Sequence, residues 1–318
     1  MRYINSNKIE NIENKQGCVV MLGNFDGMHI GHLALFDVLS STANASGLDK
    51  VIFSFWPHPM FYMDVPDFGL LLSRREKVRI LEELGADVFI EYPFDDTLRN
   101  TPPGDFIQAT VVDSLNAKAI VIGDDYCFGR DRAGDAEYMR ELGKIHGFDV
   151  HVVDSVTYQG ERVSSRLIRE RLSARNLERC AELMTRPYQI SGVVEHGKRL
   201  GRRLGFPTLN IIPPSEKLLP PNGVYLTMTS ILSDCGGQTL ESITNVGVSA
   251  TVSQGGTAVK CETYLYDFDE DIYGQEVVIS FFESLRGERR FKDACALKRQ
   301  VDNDIRMGRE MWKRSRLR

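Results

Sequence analysis

Ten residues near the N-terminus, Gly23-Asn24-Phe25-Asp26-Gly27-Met28-His29-Ile30-Gly31-His32, constrain this chain more than any other stretch. The apolar run Cys18-Val19-Val20-Met21-Leu22 before them reads as a buried strand that stops at a glycine turn. After them Leu33, Phe36 and Leu39 recur at helical spacing, with Ala34 and Val38 beside them. Strand, glycine turn and helix in that order set two histidines at a helix N-terminus. Unpaired N–H groups and the positive dipole end there favour an anion, typically a phosphate. Imidazoles at the same place can donate hydrogen bonds to charge that develops in phosphoryl chemistry. Gly31 would let a ligand approach the backbone closely. Alone, a His-x-x-His pair is more often half of a metal site or two surface histidines. The strand and turn in front of this one set it apart.

At 318 residues the chain is long for a single core, and two domains are expected. Its make-up, 42% hydrophobic and 26% charged with only 12 prolines, is that of a soluble globular protein. A formal net charge of −5 argues against a general nucleic-acid binder, while leaving room for a local basic pocket. The six cysteines are scattered without a Cys-x-x-Cys pair, so neither a zinc site nor a disulfide framework is expected. Met1-Arg2-Tyr3-Ile4-Asn5 starts no signal peptide, and no apolar run approaches membrane-spanning length. A cytoplasmic protein with small-molecule partners, no membrane and a possible homo-oligomeric state is the expectation.

Further strands are predicted at 51–56, 87–92, 118–123 and 149–153. Helical spacing between them falls on Val78, Leu81 and Leu84, behind a Ser73/Glu76 capping box and ahead of Gly85. It recurs on Phe106, Thr110 and Val111, and on Met139, Leu142 and Ile145. Strands alternating with helices predict a Rossmann-like α/β fold, a parallel sheet covered on both faces. The Gly-x-Gly-x-x-Gly fingerprint is absent after the first strand, which favours phosphate chemistry over hydride transfer. Pro57-His58-Pro59 stops the second strand and places His58 at its C-terminal end, the edge where ligands bind in open α/β sheets. On its own it could equally be a rigid loop corner. The Asp124-Asp125-Tyr126 loop could hold ribose hydroxyls or Mg²⁺, or be a solvated acidic loop. Arg162-Val163-Ser164-Ser165-Arg166-Leu167-Ile168-Arg169 joins a strand end to a helix start, with serine caps and arginines suited to polyphosphate.

From Thr185-Arg186-Pro187 the pattern changes, so domains are expected at 1–185 and 186–318. Strand-like runs at 188–195, 207–212, 223–231, 240–247, 260–266 and 275–282 lack intervening helices, which predicts a six-stranded antiparallel β-barrel. Ala294, Leu297, Val301, Ile305 and Trp312 predict a C-terminal helix packed on it. Gly197, Gly201 and Gly205 recur at fours among Lys198, Arg199, Arg202 and Arg203, a loop suited to phosphates although not a Walker A loop. Glu262 alternates onto the face of Tyr264 and Tyr266, where a carboxylate can accept a proton from a substrate hydroxyl.

Gly23–His32 resembles the His-x-Gly-His signature of nucleotidyltransferases, in the longer form of the prokaryotic bifunctional riboflavin kinase/FAD synthetases. Pro57-His58-Pro59, the 123–130 loop, the Ser164-Ser165 motif and Gly205-Phe206-Pro207-Thr208-Leu209-Asn210 are similar to that family in the expected order, from residue 18 to about 305. The resemblance implies ATP-dependent phosphorylation of riboflavin to FMN in the barrel, and adenylylation of FMN to FAD with release of pyrophosphate in the N-terminal domain. It implies Thr208 and Asn210 as holders of Mg²⁺ with ATP, and Glu262 as the base. In the other half it implies His29 and His32 as stabilisers of the transition state. Gly23, Asn24, Phe25, Asp26, Gly31, Ser164, Ser165, Arg166 and Arg169 would bind nucleotide there, as Gly197, Lys198, Gly201, Arg202 and Gly205 would in the barrel. His58, Asp125, Tyr126 and Arg286 would face flavin. Arg166 stands where the family has Thr, and Ser249 and Ala250 stand where it has Arg and Pro. These departures motivate two rival readings: a kinase whose adenylyltransferase domain is impaired, and a flavin-sensing regulator without turnover.

Overall fold

The computed structural model describes residues 1–6, 16–197, 201, 205–232, 237–249 and 258–315. By contacts the chain forms two compact units. One comprises Met1–Phe68 and Arg74–Ser165, the other Gly69–Ser73 and Arg166–Arg318.

The first unit is built on six parallel strands: β1 (Arg2–Ile4), β2 (Cys18–Leu22), β3 (Asp49–Trp56), β4 (Val88–Pro93), β5 (Ala117–Gly123) and β6 (Asp149–Val153). Their order is β1-β4-β3-β2-β5-β6, as expected of a Rossmann-like sheet. The five residues of β2 are all buried, which is why Cys18–Leu22 is a continuous apolar run without alternation. Strand order reverses at β2, with β3 on one side and β5 on the other, so the turn after β2 lies at the topological switch point. The edge strand β1 escapes the periodicity argument because three residues carry too little pattern; it pairs with β4 from Arg2↔Val88 to Ile4↔Ile90.

The helices are α1 (Ile30–Ser46), α2 (Pro59–Tyr62), α3 (Arg74–Glu83), α4 (Asp96–Arg99), α5 (Pro103–Phe106) and α6 (Ala136–His146). One expectation needs correction. The helical spacing after Phe106 belongs to a π-helix over Ile107–Ser114, which turns Ile107, Thr110 and Val111 inward. Met139, Leu142 and Ile145 lie on α6 as expected; the first two are buried, and Ile145, one residue before the helix ends, is 72% exposed. A short hairpin, β7 (Thr157–Tyr158) with β8 (Glu161–Arg162), precedes α7 (Ser165–Ser173) and α8 (Leu177–Met184).

The second unit holds the predicted antiparallel strands, β9 (Tyr188–Val193), β10 (Leu209–Ile211), β11 (Gly223–Leu232), β12 (Gln238–Ser249), β13 (Ala258–Leu265) and β14 (Glu276–Gly287). They run in the order β10-β13-β12-β11-β14-β9, and a Glu195↔Asn210 bridge draws the chain after β9 to β10. Gly69–Ser73 belongs to this unit through an isolated bridge, Leu70↔Lys217: the Leu70 N–H donates to the Glu216 carbonyl and the Leu218 N–H to that of Leu70. Lys217 Nζ donates to the Leu71 carbonyl at 2.6 Å.

The C-terminal helix α9 (Ala294–Ser315) lays Trp312, Ile305 and Met311 against Val224, Leu226, Ile243 and Tyr266. Gly308 is the tight point of that contact. A Cβ there would lie 2.5 Å from the Tyr266 hydroxyl oxygen and 2.7 Å from Ile243 Cγ2. Alanine in a helix normally gains about 1 kcal/mol over glycine, but here the overpacking dominates, so Gly308→Ala is expected to destabilise by about 1–3 kcal/mol in urea unfolding. Equal or greater stability would show that α9 seats less closely.

Candidate active sites

In the first unit the site starts where β2 ends. Gly23 N–H donates to the Phe53 carbonyl at 3.1 Å, tying the turn to β3. Phe25 and Met28 follow with φ of 51° and 39°, left-handed values uncommon for side chains of this size, yet both are buried. Such backbone persists where packing over-determines it and clusters at functional sites. His29 is then the N-cap of α1: its Nδ1 accepts the His32 N–H at 3.3 Å. With Nδ1 an acceptor, the neutral imidazole carries its proton on Nε2. The rings of His29 and His32 stack, centroids 3.7 Å apart and 16° from parallel, and His32 meets the edge of Phe25 at 5.4 Å. The structure adds a role for Gly31 beyond backbone approach. A Cβ there would come within 3.2 Å of the His29 ring, so glycine leaves room for the first imidazole.

Asn24 is held through its carbonyl, which accepts Lys77 Nζ at 3.0 Å and the Ser54 hydroxyl at 3.2 Å. Its Oδ1 is buried with no hydrogen-bond partner among the described residues. Asp26, 2% exposed, accepts the Ser165 hydroxyl at its carbonyl at 2.6 Å, so the serine motif and the histidine turn come together although 139 residues separate them. His58 lies at the end of β3 as expected, but as the N-cap of α2, Nδ1 accepting Met60 N–H at 3.1 Å, with its ring on Phe68. After β5, Asp125 pairs with Arg162 at 2.9 Å. The Ser155 hydroxyl, with help from Arg162, holds the neighbouring Asp124 carboxyl below the usual carboxylate range. Tyr126 stacks on Phe128; its hydroxyl is buried with no hydrogen-bond partner among the described residues, and burial raises its pKa. Arg166 and Arg169 belong to the second unit. Arg166 is 87% exposed and pairs with Glu170 at 3.4 Å, whereas Arg169 Nε donates to the Gly69 carbonyl at 2.9 Å.

In the second unit a cavity of about 310 Å³ is walled by the glycine loop, the sheet and α9. Strand register sets its polar row. Asn210 on β10 stands opposite Glu262 on β13, which stands opposite Asn245 on β12, so the three side chains share one face. Thr208, Gly197 and Gly201 complete that side. Gly197 lies against the Asn210 carboxamide: a Cβ would come 2.5 Å from Nδ2 and push that side chain aside. Gly205, at φ 92°, makes the turn into Phe206-Pro207-Thr208. Lys198, Arg202 and Ala250 lie outside the described residues. On the opposite wall Arg286 is fixed by Asp304, Nε and Nη2 reaching its carboxylate at 3.0 and 2.8 Å, and Gln300 Nε2 donates to the same group. Asp304 and Asn245 were missed by residue-type reasoning. The signal for Asp304 was a lone acid at the 297-301-304-308 spacing of the apolar face of α9. Thr208 and Asn210 offer hard oxygen donors, the ligand type Mg²⁺ takes, and Gly197 leaves room for the carboxamide.

The FAD synthetase family profile matches residues 11–167, and the riboflavin kinase profile matches residues 184–312. A bifunctional riboflavin kinase/FMN adenylyltransferase from Pseudomonas fluorescens is 34% identical over 298 residues, 93% of each chain. The chain belongs to the bifunctional riboflavin kinase/FMN adenylyltransferase family. The member from Escherichia coli K12 is 33% identical over 94% of each chain, and that from Bacillus subtilis 29% over 92%. A crystal structure described as a macrolide-efflux protein from Streptococcus pneumoniae superposes with a TM-score of 0.83 at 27% identity, over 97% of this chain and 99% of that one. Among the described residues no helix is long and apolar enough to cross a membrane. The chain is thus an enzyme carrying both domains of the family, and neither the kinase-only nor the sensor reading gains support from these relatives.

Proposed function

We propose that this enzyme converts riboflavin to FMN at the Glu262 cavity and FMN to FAD at the His29/His32 turn, with the functional boundary at 185/186. The Asn210–Glu262–Asn245 row carries the first assignment. Glu262, exposed to the cavity, would take the proton from the ribityl 5′-hydroxyl as that oxygen attacks the γ-phosphate of ATP. Thr208 and Asn210 would hold Mg²⁺ with ATP, the metal offsetting phosphate charge when bound. Lys198, Arg202, Gly201 and Gly205 would cradle the phosphates, and Arg286, oriented by Asp304, would face the flavin.

For FAD formation the FMN phosphate already carries the attacking negative charge, so the protein need supply no nucleophile. His29 Nε2–H and His32 would stabilise charge on the α-phosphate, with Asn24 beside them and Ser164, Ser165, Arg166 and Arg169 serving the remaining phosphates. His58, Asp125 and Tyr126 would meet the flavin part. A cytoplasmic setting without nucleic-acid partners accords with the net charge of −5.

Incubation with riboflavin, ATP and Mg²⁺ followed by chromatography is expected to show FMN and then FAD. FMN without FAD would favour the impaired-domain rival, and neither product would overturn the enzyme assignment of both sites. A narrower prediction concerns Gly197→Ala. Its Cβ displaces the Asn210 carboxamide, so KM for ATP in FMN formation should rise about tenfold, within the cost that a misplacement of about 1 Å can carry, while FAD formation from supplied FMN is unchanged.

A further inference from the structure

Lys77 is absent from every motif above, yet it touches the centre of the histidine turn. It lies on α3, is 5% exposed, and extends its ammonium past the Phe89 ring to the C-terminal edge of the sheet. A buried lysine ordinarily answers a carboxylate. Glu91 on β4 is nearby and fully buried, but its Oε1 is 3.9 Å from Nζ, whereas the Asn24 carbonyl is at 3.0 Å. Only one oxygen of Glu91 is served: Arg74 Nε reaches its Oε2 at 2.7 Å and the Tyr3 hydroxyl donates to the same oxygen at 2.5 Å, while Oε1 is buried with no hydrogen-bond partner among the described residues. The short contact of Lys77 is therefore spent on the turn and not on its counter-charge. Burial lowers the lysine's pKa, while Glu91 and Asp26 oppose that shift.

Stability alone gives a weak reason for this arrangement, since apolar replacement of a buried ion pair is often neutral or stabilising. Position gives a stronger one. Ser54, the register partner of Glu91 across β3 and β4, donates to the same Asn24 carbonyl, so two donors fix one peptide plane from beneath. Carbonyl and N–H of a trans peptide point in opposite directions, so drawing the Asn24 carbonyl inward turns the Phe25 N–H outward. That plane directly precedes the left-handed Phe25, and Asn24 Oδ1 beside it is a buried acceptor with no hydrogen-bond partner among the described residues.

We infer that Lys77 is a positioning residue for FAD formation, its buried ammonium fixing the Asn24 carbonyl so that the Phe25 N–H and the Asn24 side chain are held ready for the phosphates of ATP. The inference rests on the assignment of FAD formation to the histidine turn. Lys77 touches no reacting atom; it acts through Asn24.

The test uses the full-length protein with FMN, ATP and Mg²⁺, and riboflavin phosphorylation as an internal control. Lys77→Met keeps length and apolar stem. It should lower kcat for FAD formation by about 10- to 100-fold, with KM for ATP shifted by less than about threefold and FMN formation at the wild-type rate. Ser54→Ala should lower kcat about threefold to tenfold, and the double variant should fall short of the product of the two losses, because both act on one carbonyl. Wild-type kcat in Lys77→Met, or fully multiplicative losses, would overturn the inference. Should Lys77→Met lose FMN binding along with activity, Ser54→Ala decides: a lowered kcat with KM and melting temperature unmoved supports the positioning role, and an unchanged kcat rejects it. His32→Ala run in parallel separates this from failure of the underlying assignment. If His32→Ala retains FAD formation, the site reading falls; if it loses FAD formation while the Lys77 and Ser54 variants keep it, only the Lys77 inference falls.

Discussion

Glu262→Gln is expected to lower kcat for FMN formation by about 100- to 10,000-fold, the range for loss of a positioned general base, while FAD formation from supplied FMN continues at the wild-type rate. The substitution is nearly isosteric and the side chain is exposed to the cavity, so stability should change by less than about 0.5 kcal/mol. The effect should appear in kcat more than in KM, since on the proposed assignment Asn210, Thr208 and the glycine loop would remain to hold ATP. Rapid-quench assays with riboflavin, and separately with FMN, measure the two activities. Undiminished phosphorylation would remove Glu262 from the chemistry and leave the aromatic face of β13 as a binding wall alone.

The mirror result is expected in the other unit. His32→Ala and His29→Asn should each reduce FAD formation by about 100- to 1,000-fold, as loss of a donor to developing charge does elsewhere, with FMN formation preserved. The choice of Asn at 29 follows from the structure. His29 is both N-cap and candidate donor, and His29→Ala would also remove the cap acceptor for His32 N–H, costing about 0.5–2 kcal/mol of helix stability. Asparagine restores a cap acceptor without an imidazole Nε2–H, so a surviving loss of activity reports the chemistry and not fraying of α1. Loss of both activities in a folded variant would refute the division into two sites.

Arg166 illustrates how much a motif leaves open. Its place beside Ser164 and Ser165 suggests a phosphate ligand, yet in its own unit the side chain is largely exposed and meets Glu170 one helical turn away. An i,i+4 pair of that kind contributes only a few tenths of a kcal/mol. Giving up that pair to meet a phosphate would accordingly cost little.

Much of the fold and of both candidate sites can be read from the residues in order, because the signals are local. An apolar run followed by Gly23 and a 3.6-residue period specifies strand, turn and helix, and placing β2 centrally puts that turn at the switch point. Gly197, Thr208, Asn210 and Glu262 are legible for the same reason: glycine and hard-oxygen residues occur at short spacings between strand-like runs. What the sequence by itself could not determine are relations set by register and packing between distant segments. That Asn210 faces Glu262 and Asn245 depends on which residues pair across three strands, and a shift of one residue would turn all of them to the other face. That Asp304 holds Arg286, that His29 caps α1, and that Lys77 and Ser54 share the Asn24 carbonyl are likewise decided by tertiary structure. A polar side chain in the interior must find its partner wherever the fold brings one, and that partner's distance along the chain carries no sequence signal.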